Sequence, residues 1–530
     1  MSKILLCLCI LTLILIGISF TFIYLRKKEK EESLTFEKSP AYLFVWEMIG
    51  SIVCMVSFLV MIDSIDFYHH LNLFSAFLTT VSGVLVSALI VYNTFLYRKK
   101  TEMLFLTYMI PLGIVYMFLL YPDFVPDEQS HFMKAFNTSM LNFSADIRGV
   151  TYGDYSVKGI ETVHDLLQSF YIGADTTLNV VYDSACSYNF LIYIVPALGL
   201  WIGRILHFSI YLSYYLGRFF NFLLFLYIGY KAIQIIPKYK WLVFVFYFNP
   251  MLIQQGISFS ADMWLDSFCI FAVAYFFYLY EKEEIEVKDI YVVMTLIGGV
   301  LIAKYVYFTL FGIYLLLVPK IFRMPKKNWL HFLLGMMGAG ILFVFSLKLA
   351  AGAETVPSIK EYLITSKVDG TAQMQFLLSK PENIIRMYQS TFITMMPFYI
   401  SSFISNLGWL EISLNAFSIL FFYLLLFSVA SVEHEKCKGG SRIWILVVGL
   451  LLSMFIILGL YLHWTPVGSF VTLGVQGRYF IPVALLLLVG ISNGALKKLK
   501  PYMCSFCIGA ILLVQFPAIL NIFQYMTSLM

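Results

Sequence analysis

Charged residues are scarce in this chain of 530 residues, at 13%, whereas a soluble globular protein averages about 25%. This scarcity excludes an ordinary soluble enzyme. The net charge is only +5, and the basic residues sit in short clusters beside apolar runs, which excludes a nucleic-acid binder. Eight cysteines, 16 prolines and 32 glycines are too few for a disulfide scaffold, a disordered chain or collagen.

Apolar residues are abundant instead, at 60%, and they recur in runs of the length that a membrane-spanning helix needs, about 20 residues. We therefore predict an all-α polytopic integral membrane protein with about fourteen transmembrane helices. The first run lacks a small-residue cleavage site and is too long for a signal-peptide core, so we expect it to be retained. The predicted crossings are 4–25, 41–62, 73–97, 103–121, 213–235, 241–257, 262–280, 290–303, 305–322, 329–349, 413–431, 443–462, 479–495 and 501–524.

The basic clusters predict the orientation of the chain, because cytoplasmic loops carry the excess of Lys and Arg. Counting crossings from these clusters places the stretch 122–212 on the outer side of the membrane. Nine acidic and only three basic residues lie between Asp123 and Asp183, in agreement with that placement. The clusters begin at Arg26, Arg98, Lys238, Lys282, Arg323, Lys436 and Lys497.

The same count requires an odd number of crossings between the first outer loop and Lys238. Of the apolar segments 188–207 and 213–235, we predict that 188–207 lies on the outer surface, because Pro196 and Arg204 interrupt it. The count of crossings also predicts that segment 386–407 is interfacial or re-entrant, because it lies between an outer loop and the cytoplasmic cluster at Lys436.

We divide the chain into three parts. An accessory three-helix module at 1–100 precedes a catalytic membrane core at 101–500, and the last transmembrane helix occupies 501–530. The core carries outer loops at 122–212, 350–412 and 463–478.

The first chemically informative stretch follows the crossing at 103–121. Asp127 and His131 are four residues apart on one helical face, beside Glu128, which concentrates titratable groups at the membrane boundary. A carboxylate there is suited to act as a general base, with His131 orienting it or donating to a phosphate. The alternative is a simple helix start, because Pro126 and the two acidic residues are typical of a first turn.

A second acidic pair consists of Asp262 at the start of an inward-going helix and Asp266 one turn deeper. An N-cap role for Ser260 and Asp262 is the alternative. Asp266 lies nominally at bilayer depth, where an unpartnered carboxylate is costly, so we expect it to face a polar cavity, a partner or a metal.

Four cations are predicted to face the same side: Arg218, Lys304, Lys348 and Arg478, of which we expect Lys348 to snorkel. Snorkelling of each side chain to the lipid headgroups is the alternative. Arg478 follows Gln476 and Gly477, and a lone guanidinium in such a turn is suited to bidentate contact with a phosphate.

These residues lie in segments that resemble a bacterial membrane-protein family, domain of unknown function 2142. The resemblance runs from about residue 103 to 500. Ala261 stands where that family tends to have Pro, and Asn189-Phe190 replaces a usual Ser-Pro. The matching segments are Pro126 to Phe132, Tyr188 to Gly199, Leu216 to Asn221, Asn249 to Asp262, Lys304-Tyr305 and Val475 to Pro482.

That family is similar in turn to GT-C glycosyltransferases, which take sugars from polyprenyl-phosphate donors. The resemblance implies a GT-C-like core in which a sugar moves to a cell-envelope glycan, lipid or protein acceptor on the outer face of the membrane. It implies that Asp127 and Glu128 are catalytic and gives roles to Arg218 and Asp262. From the sequence itself we add His131 to the catalytic residues. The predicted donor phosphate ligands are Arg218, Lys304, Arg478 and Gln476, with Asp266, Tyr188 and Tyr479 in support. Asp262 is a candidate ligand of Mg²⁺ or Mn²⁺, and a site formed by cations alone is the alternative.

Two other functions fit the same sequence. A transporter or flippase of a lipid-linked glycan or another anionic solute also needs acidic and basic groups around a polar cavity, but it needs them near the midplane. A noncatalytic partner in envelope polymer synthesis is the third reading, and its acidic motif should tolerate Asn or Gln.

Overall fold

The computed structural model describes residues 41–143, 148–152, 162–170, 176–180, 188–353, 361, 363–433 and 439–528. Helices dominate these residues, as predicted. The predicted crossing at 4–25 lies outside the described residues. The helices are α1 (Tyr42–Asp66), α2 (Leu73–Tyr97), α3 (Thr101–Leu119), α4 (Glu128–Ser139), α5 (Val163–Ser169), α6 (Ile194–Ile205), α7 (Ile210–Ile235), α8 (Lys240–Tyr247), α9 (Pro250–Gly256), α10 (Ala261–Glu281), α11 (Val287–Ala303), α12 (Val318–Ile321), α13 (Lys326–Ala353), α14 (Gly370–Ser379), α15 (Pro381–Ser402), α16 (Ala416–Val432), α17 (Gly439–Trp464), α18 (Ile481–Ile491) and α19 (Met503–Ser528).

Eight helical segments of the described chain are long and apolar enough to cross a membrane. A multi-pass membrane protein is therefore supported. They coincide with eight of the fourteen predicted crossings, and the count of fourteen is not reached. The eight segments are Tyr42–Asp66, Leu73–Tyr97, Thr101–Leu119, Ile210–Ile235, Ala261–Glu281, Asn328–Lys348, Gly440–Trp464 and Lys497–Ser528.

Two short helices, α8 and α9, replace the single predicted crossing at 241–257. The break falls at Asn249-Pro250, where proline has no backbone N–H and forces the preceding residue out of helical geometry. Asn249 is extended, and its side chain accepts a hydrogen bond from Met251 N. Both short helices are buried in the main hydrophobic core.

The predicted crossing at 305–322 takes a different helical form. A 3-10 helix covers Tyr305–Leu317, and α12 completes the segment. Because a 3-10 helix rises about 2.0 Å per residue, its 13 residues extend over about 26 Å. The predicted crossings at 290–303, 413–431 and 479–495 correspond to helices shorter than 18 residues.

The segment predicted to be the first outer loop contains a short two-stranded antiparallel sheet that the sequence did not predict. Strand β1 (Arg148–Tyr152) pairs antiparallel with β2 (Thr176–Val180), and Arg148 lies opposite Val180. Helix α5 lies between the two strands in the chain and begins with a capping box at Thr162 and Asp165.

The predicted surface segment 188–207 forms a short 3-10 turn, Phe190–Tyr193, followed by α6. Helix α6 has 12 residues and so extends over about 18 Å, too short to span a bilayer core of about 30 Å. It packs closely against α7, because a Cβ on Gly199 would lie 2.6 Å from Leu216 O and one on Gly203 2.4 Å from Ser213 Oγ. Small residues permit this approach of two helices.

The basic cluster at Lys238 and Lys240 lies at one end of the bundle, beside acidic residues that neighbour two other basic clusters. Lys238 pairs with Glu281 at 2.9 Å, and Lys240 with Glu102 at 3.7 Å. Helix α10 runs from that end, at Glu281, to Ala261, so its two ends are about 32 Å apart over 21 residues. The residues described next lie at the Ala261 end.

Candidate functional site

Asp127 sits at the start of α4 in an unusual backbone conformation. It is the N-cap residue, yet its φ of 61° is left-handed, and its side chain makes no capping hydrogen bond. A left-handed non-glycine residue is uncommon, and such strain concentrates at functional sites. The side chain of Asp127 is 55% exposed. The carboxylate of Asp127 therefore does not cap the helix by a hydrogen bond and is open to other partners.

Glu128, the next residue, has the opposite environment. Its carboxylate forms a buried bidentate ion pair with Arg218, at 2.8 Å to Nε and 2.5 Å to Nη2. Arg218 donates its remaining N–H groups to the carbonyl oxygens of Met117, Leu120 and Tyr121. All five donors of this guanidinium are thus occupied. We call this arrangement the Glu128–Arg218 pair.

The Glu128–Arg218 pair changes two predicted roles. Both side chains are fully buried, and Glu128 Oε1 also accepts a hydrogen bond from Phe259 N at 3.2 Å. Arg218 has no donor left for a phosphate, so the predicted phosphate-binding role does not fit this arrangement. Glu128 has no access to an acceptor, and the pair instead fixes the end of α3 and the start of α4 onto α7.

His131 lies one turn along α4 and is buried among tyrosines. Its Nδ1 shares a hydrogen bond of 2.6 Å with Tyr193 Oη, and its ring meets Tyr188 edge-on, with centroids 5.3 Å apart. Burial lowers the pKa of His131 to about 4, opposed by the negative charges of Asp127 and Asp262 and reinforced by Lys304 and Arg478. The imidazole is therefore neutral at pH 7.

The buried imidazole predicts a pH-dependent contribution to stability. Between about pH 6.5 and 4 the unfolded chain binds a proton at His131 that the folded chain does not, so stability falls as pH falls through this range. We expect the unfolding midpoint in detergent to drop less from pH 7 to pH 4.5 in His131→Gln than in the wild type. Parallel pH profiles for the two proteins would contradict this prediction.

Asp262 is the centre of a charged cluster at the start of α10. Lys304 Nζ donates to its Oδ1 at 2.6 Å, and Arg478 Nε lies 3.4 Å from its Oδ2. Ser260 provides the helix cap, since its hydroxyl accepts from Asp262 N. Arg478 Nη2 also lies 3.8 Å from Asp127 Oδ2. The structure thus brings together four of the predicted residues from four separate segments.

Tyr479 forms an aromatic wall beside these cations. Its ring centroid lies 4.5 Å from Lys304 Nζ and 5.4 Å from Arg478 Cζ, within cation–π range of both. Its backbone carbonyl accepts a hydrogen bond of 2.8 Å from Tyr307 Oη. The supporting role predicted for Tyr479 is therefore consistent with its position.

Gln476 and Asp266 are predicted site residues with unsatisfied oxygens. Gln476 Oε1 and Asp266 Oδ2 are buried and have no hydrogen-bond partner within the described part of the chain. Arg478 Nε is also buried without a well-aligned acceptor there, despite its short distance to Asp262. Buried polar atoms of this kind call for a ligand or water. Asp266 is one helical turn deeper than the Asp262 cluster.

The donor set does not fit the divalent cation that we predicted at Asp262. Each oxygen of this carboxylate already lies within 3.4 Å of a cationic nitrogen, so a metal ion there would meet two like charges. Within the described ranges, no group of three or more His, Cys, Asp or Glu side chains is arranged to hold a metal.

Sequence reasoning missed Tyr193 and Tyr307, which orient His131 and the Tyr479 backbone. The spacing of Tyr188 and Tyr193 in one short segment was the available signal for the first. Tyr307 follows Lys304 by three residues, in the 3-10 helix whose geometry the sequence did not reveal.

A family of predicted membrane proteins, DUF2142, matches residues 110–487, which is well over half of the chain. The chain belongs to this family. No curated protein and no solved structure matches it. The DUF2142 match includes Asp127, His131, Asp262, Lys304 and Arg478, whereas α1, α2 and α19 lie outside it. The charged cluster is therefore contained in the part of the chain that the family describes.

Proposed function

We propose that this protein is a membrane glycosyltransferase that moves a sugar from a polyprenyl-phosphate donor to a cell-envelope glycan, lipid or protein acceptor. The observation that carries the proposal is the arrangement around Arg478. Lys304 and Arg478 share one buried carboxylate, Asp262, and the exposed carboxylate of Asp127 lies at the edge of the same cluster. A site for an anion next to an accessible base is suited to a reaction in which a hydroxyl group displaces a phosphate from a sugar.

The reaction is a single displacement with inversion. The acceptor hydroxyl attacks the anomeric carbon, and Asp127 takes the hydroxyl proton. The bond between the anomeric carbon and the phosphate oxygen breaks, and its electron pair leaves with the lipid phosphate. Lys304 and Arg478 stabilise the charge that develops on that phosphate, with no reorganisation at the moment of reaction.

The remaining residues position these groups. Neutral His131 is suited to hold the donor sugar or the acceptor by a hydrogen bond, without adding a third positive charge to those of Lys304 and Arg478. Asp262 holds Lys304 and Arg478 in place between turnovers, because its two oxygens face them both. The Glu128–Arg218 pair supports the backbone that presents Asp127.

We assign the site to the outer face of a bacterial plasma membrane. The basic ends of the bundle, at Lys238 and Lys240, lie opposite to it, and basic loops stay in the cytoplasm. Charges gathered at one end of the helices favour transfer at a surface over transport, which requires access from both sides.

Binding of the lipid phosphate tests the anion site directly. We expect Lys304→Gln and Arg478→Gln each to weaken binding of undecaprenyl phosphate in nanodiscs by about 10- to 100-fold, since a charge-assisted hydrogen bond contributes about 1.5–3 kcal/mol. Lys231→Gln, at a cation on the surface of α7 that bonds to Gln234, is the matched control and should bind normally. Unchanged affinity in both site variants would refute the anion site.

A further inference from the structure

An apolar groove lies between α15 and α17. Its volume is about 520 Å³, and α15 supplies all but one of its lining residues. It borders a small hydrophobic cluster, Leu377, Met387, Ile457 and Tyr461, which is separate from the main core. The residues that line the groove are Ile384, Ile385, Tyr388, Gln389, Phe392 and Met454.

The wall of the groove continues to the charged cluster. Phe480, two residues after Arg478, packs against the same small hydrophobic cluster as Tyr388 and Phe392. Tyr399 follows Phe392 by seven residues and Tyr388 by eleven, and both spacings keep it on their face of α15. Its ring lies 5.3 Å from that of Phe480. An apolar path therefore leads along one edge of α15 to the turn that holds Arg478.

The end of α15 packs closely against the turn that holds Arg478. Gly477 N donates to Ser402 Oγ at 2.8 Å, and a Cβ on Gly477 would lie 2.2 Å from Tyr399 O. No other residue fits at this position without moving the backbone of α15. The groove and the cation turn are thus parts of one packed unit.

Polar atoms without partners collect at this inner end. Tyr399 Oη, Gln476 Oε1 and Arg478 Nε are each buried and lack a hydrogen-bond partner among the described residues. Burying a polar group without a partner is costly, so a polar ligand is expected to reach them. The path is therefore apolar at one end and polar at the other, which matches an amphiphilic ligand.

We infer that this groove binds the isoprenoid chain of the lipid phosphate donor. The phosphate lies at Arg478, and the chain runs away from the charged cluster, past Tyr399 and Phe392 to Tyr388. From Tyr399 to Tyr388 the helix rises about 16 Å, a distance that several isoprene units cover. Helix α17 contributes Met454 to the opposite side of the groove. The inference rests on the proposed function.

Photolabelling tests the path of the chain. A polyprenyl phosphate that carries a diazirine within its chain is bound to the full-length protein in nanodiscs, irradiated, and the labelled peptides are mapped. We expect the label within residues 381–402, competed by undecaprenyl phosphate and not by phosphatidylglycerol. Ile385→Gln should reduce labelling about fivefold or more, because it removes an apolar contact with the chain.

Ile341→Gln is the matched control. Ile341 on α13 is 67% exposed and Ile385 is 68% exposed, so both substitutions place the same polar group on an equally open surface. Label outside 381–402 that still depends on Arg478 would overturn the groove and leave the proposed function standing. Equal competition by phosphatidylglycerol would also overturn the groove. Labelling that is independent of Lys304 and Arg478 would overturn the proposed function together with the groove.

Discussion

Asp127→Asn is expected to lower the rate of sugar transfer by about 10²- to 10⁴-fold, the usual contribution of a positioned general base. The substitution keeps the size of the side chain and removes its capacity to take a proton. Because Asp127 makes no helix cap and is half exposed, its loss should leave the fold intact. The rate is measured in proteoliposomes, with purified protein at matched amounts.

Glu382→Gln provides the control for Asp127→Asn. The side chain of Glu382 is 56% exposed, close to the 55% of Asp127, and it lies near the start of α15 in an ion pair with Arg386 at 3.8 Å. It should transfer sugar at the wild-type rate. Transfer at that same rate in Asp127→Asn would remove Asp127 from the role of base.

Glu128→Gln is expected to lower the free energy of unfolding strongly. Removing one partner of a buried ion pair leaves the other charge uncompensated, which costs about 3–5 kcal/mol. Arg218 would keep its three carbonyl contacts but lose the charge that balances it. The free energy of unfolding, from reversible unfolding in mixed micelles, is the measurement. Asp127→Asn serves as the comparison and should be within about 1 kcal/mol of the wild type.

A loss of less than about 1 kcal/mol in Glu128→Gln would show that the Glu128–Arg218 pair does not hold the start of α4. The contrast between two adjacent carboxylates is informative, because one substitution is predicted to affect the rate and the other the fold.

The sequence predicted the members of the charged cluster better than their roles. Asp127, Asp262, Lys304 and Arg478 were all predicted from charge at membrane boundaries, and all four meet. Their meeting depends on contacts between residues up to 351 positions apart, as in Asp127 and Arg478, which local pattern does not encode.

The roles of the site residues depended on backbone geometry that the sequence did not reveal. Asp127 and Glu128 are adjacent acidic residues that the sequence does not distinguish. The left-handed conformation of Asp127 directs the two carboxylates into different surroundings. Arg218 was predicted to bind phosphate from its place at the head of a crossing. Its partners are a side chain and three carbonyls brought there by the break between α3 and α4.

The bounds of the helices, too, were predicted only in part from the sequence. Long apolar helices such as α1, α7 and α10 follow the predicted spans closely, because about 20 apolar residues suffice to specify a crossing. The break at Asn249-Pro250 had a local signal in its proline, which hydropathy averaging overlooks. The 3-10 helix at Tyr305–Leu317 had no comparable local signal.

The most direct test of the account is transfer of radiolabelled sugar from synthetic polyprenyl-phosphate sugars to an acceptor in proteoliposomes, read beside movement of the lipid between leaflets. We predict transfer by the wild type, its loss in Asp127→Asn with lipid binding retained, and no movement between leaflets. Movement of the lipid between leaflets without transfer from any donor, unaffected by Asp127→Asn, would contradict the account and identify a flippase.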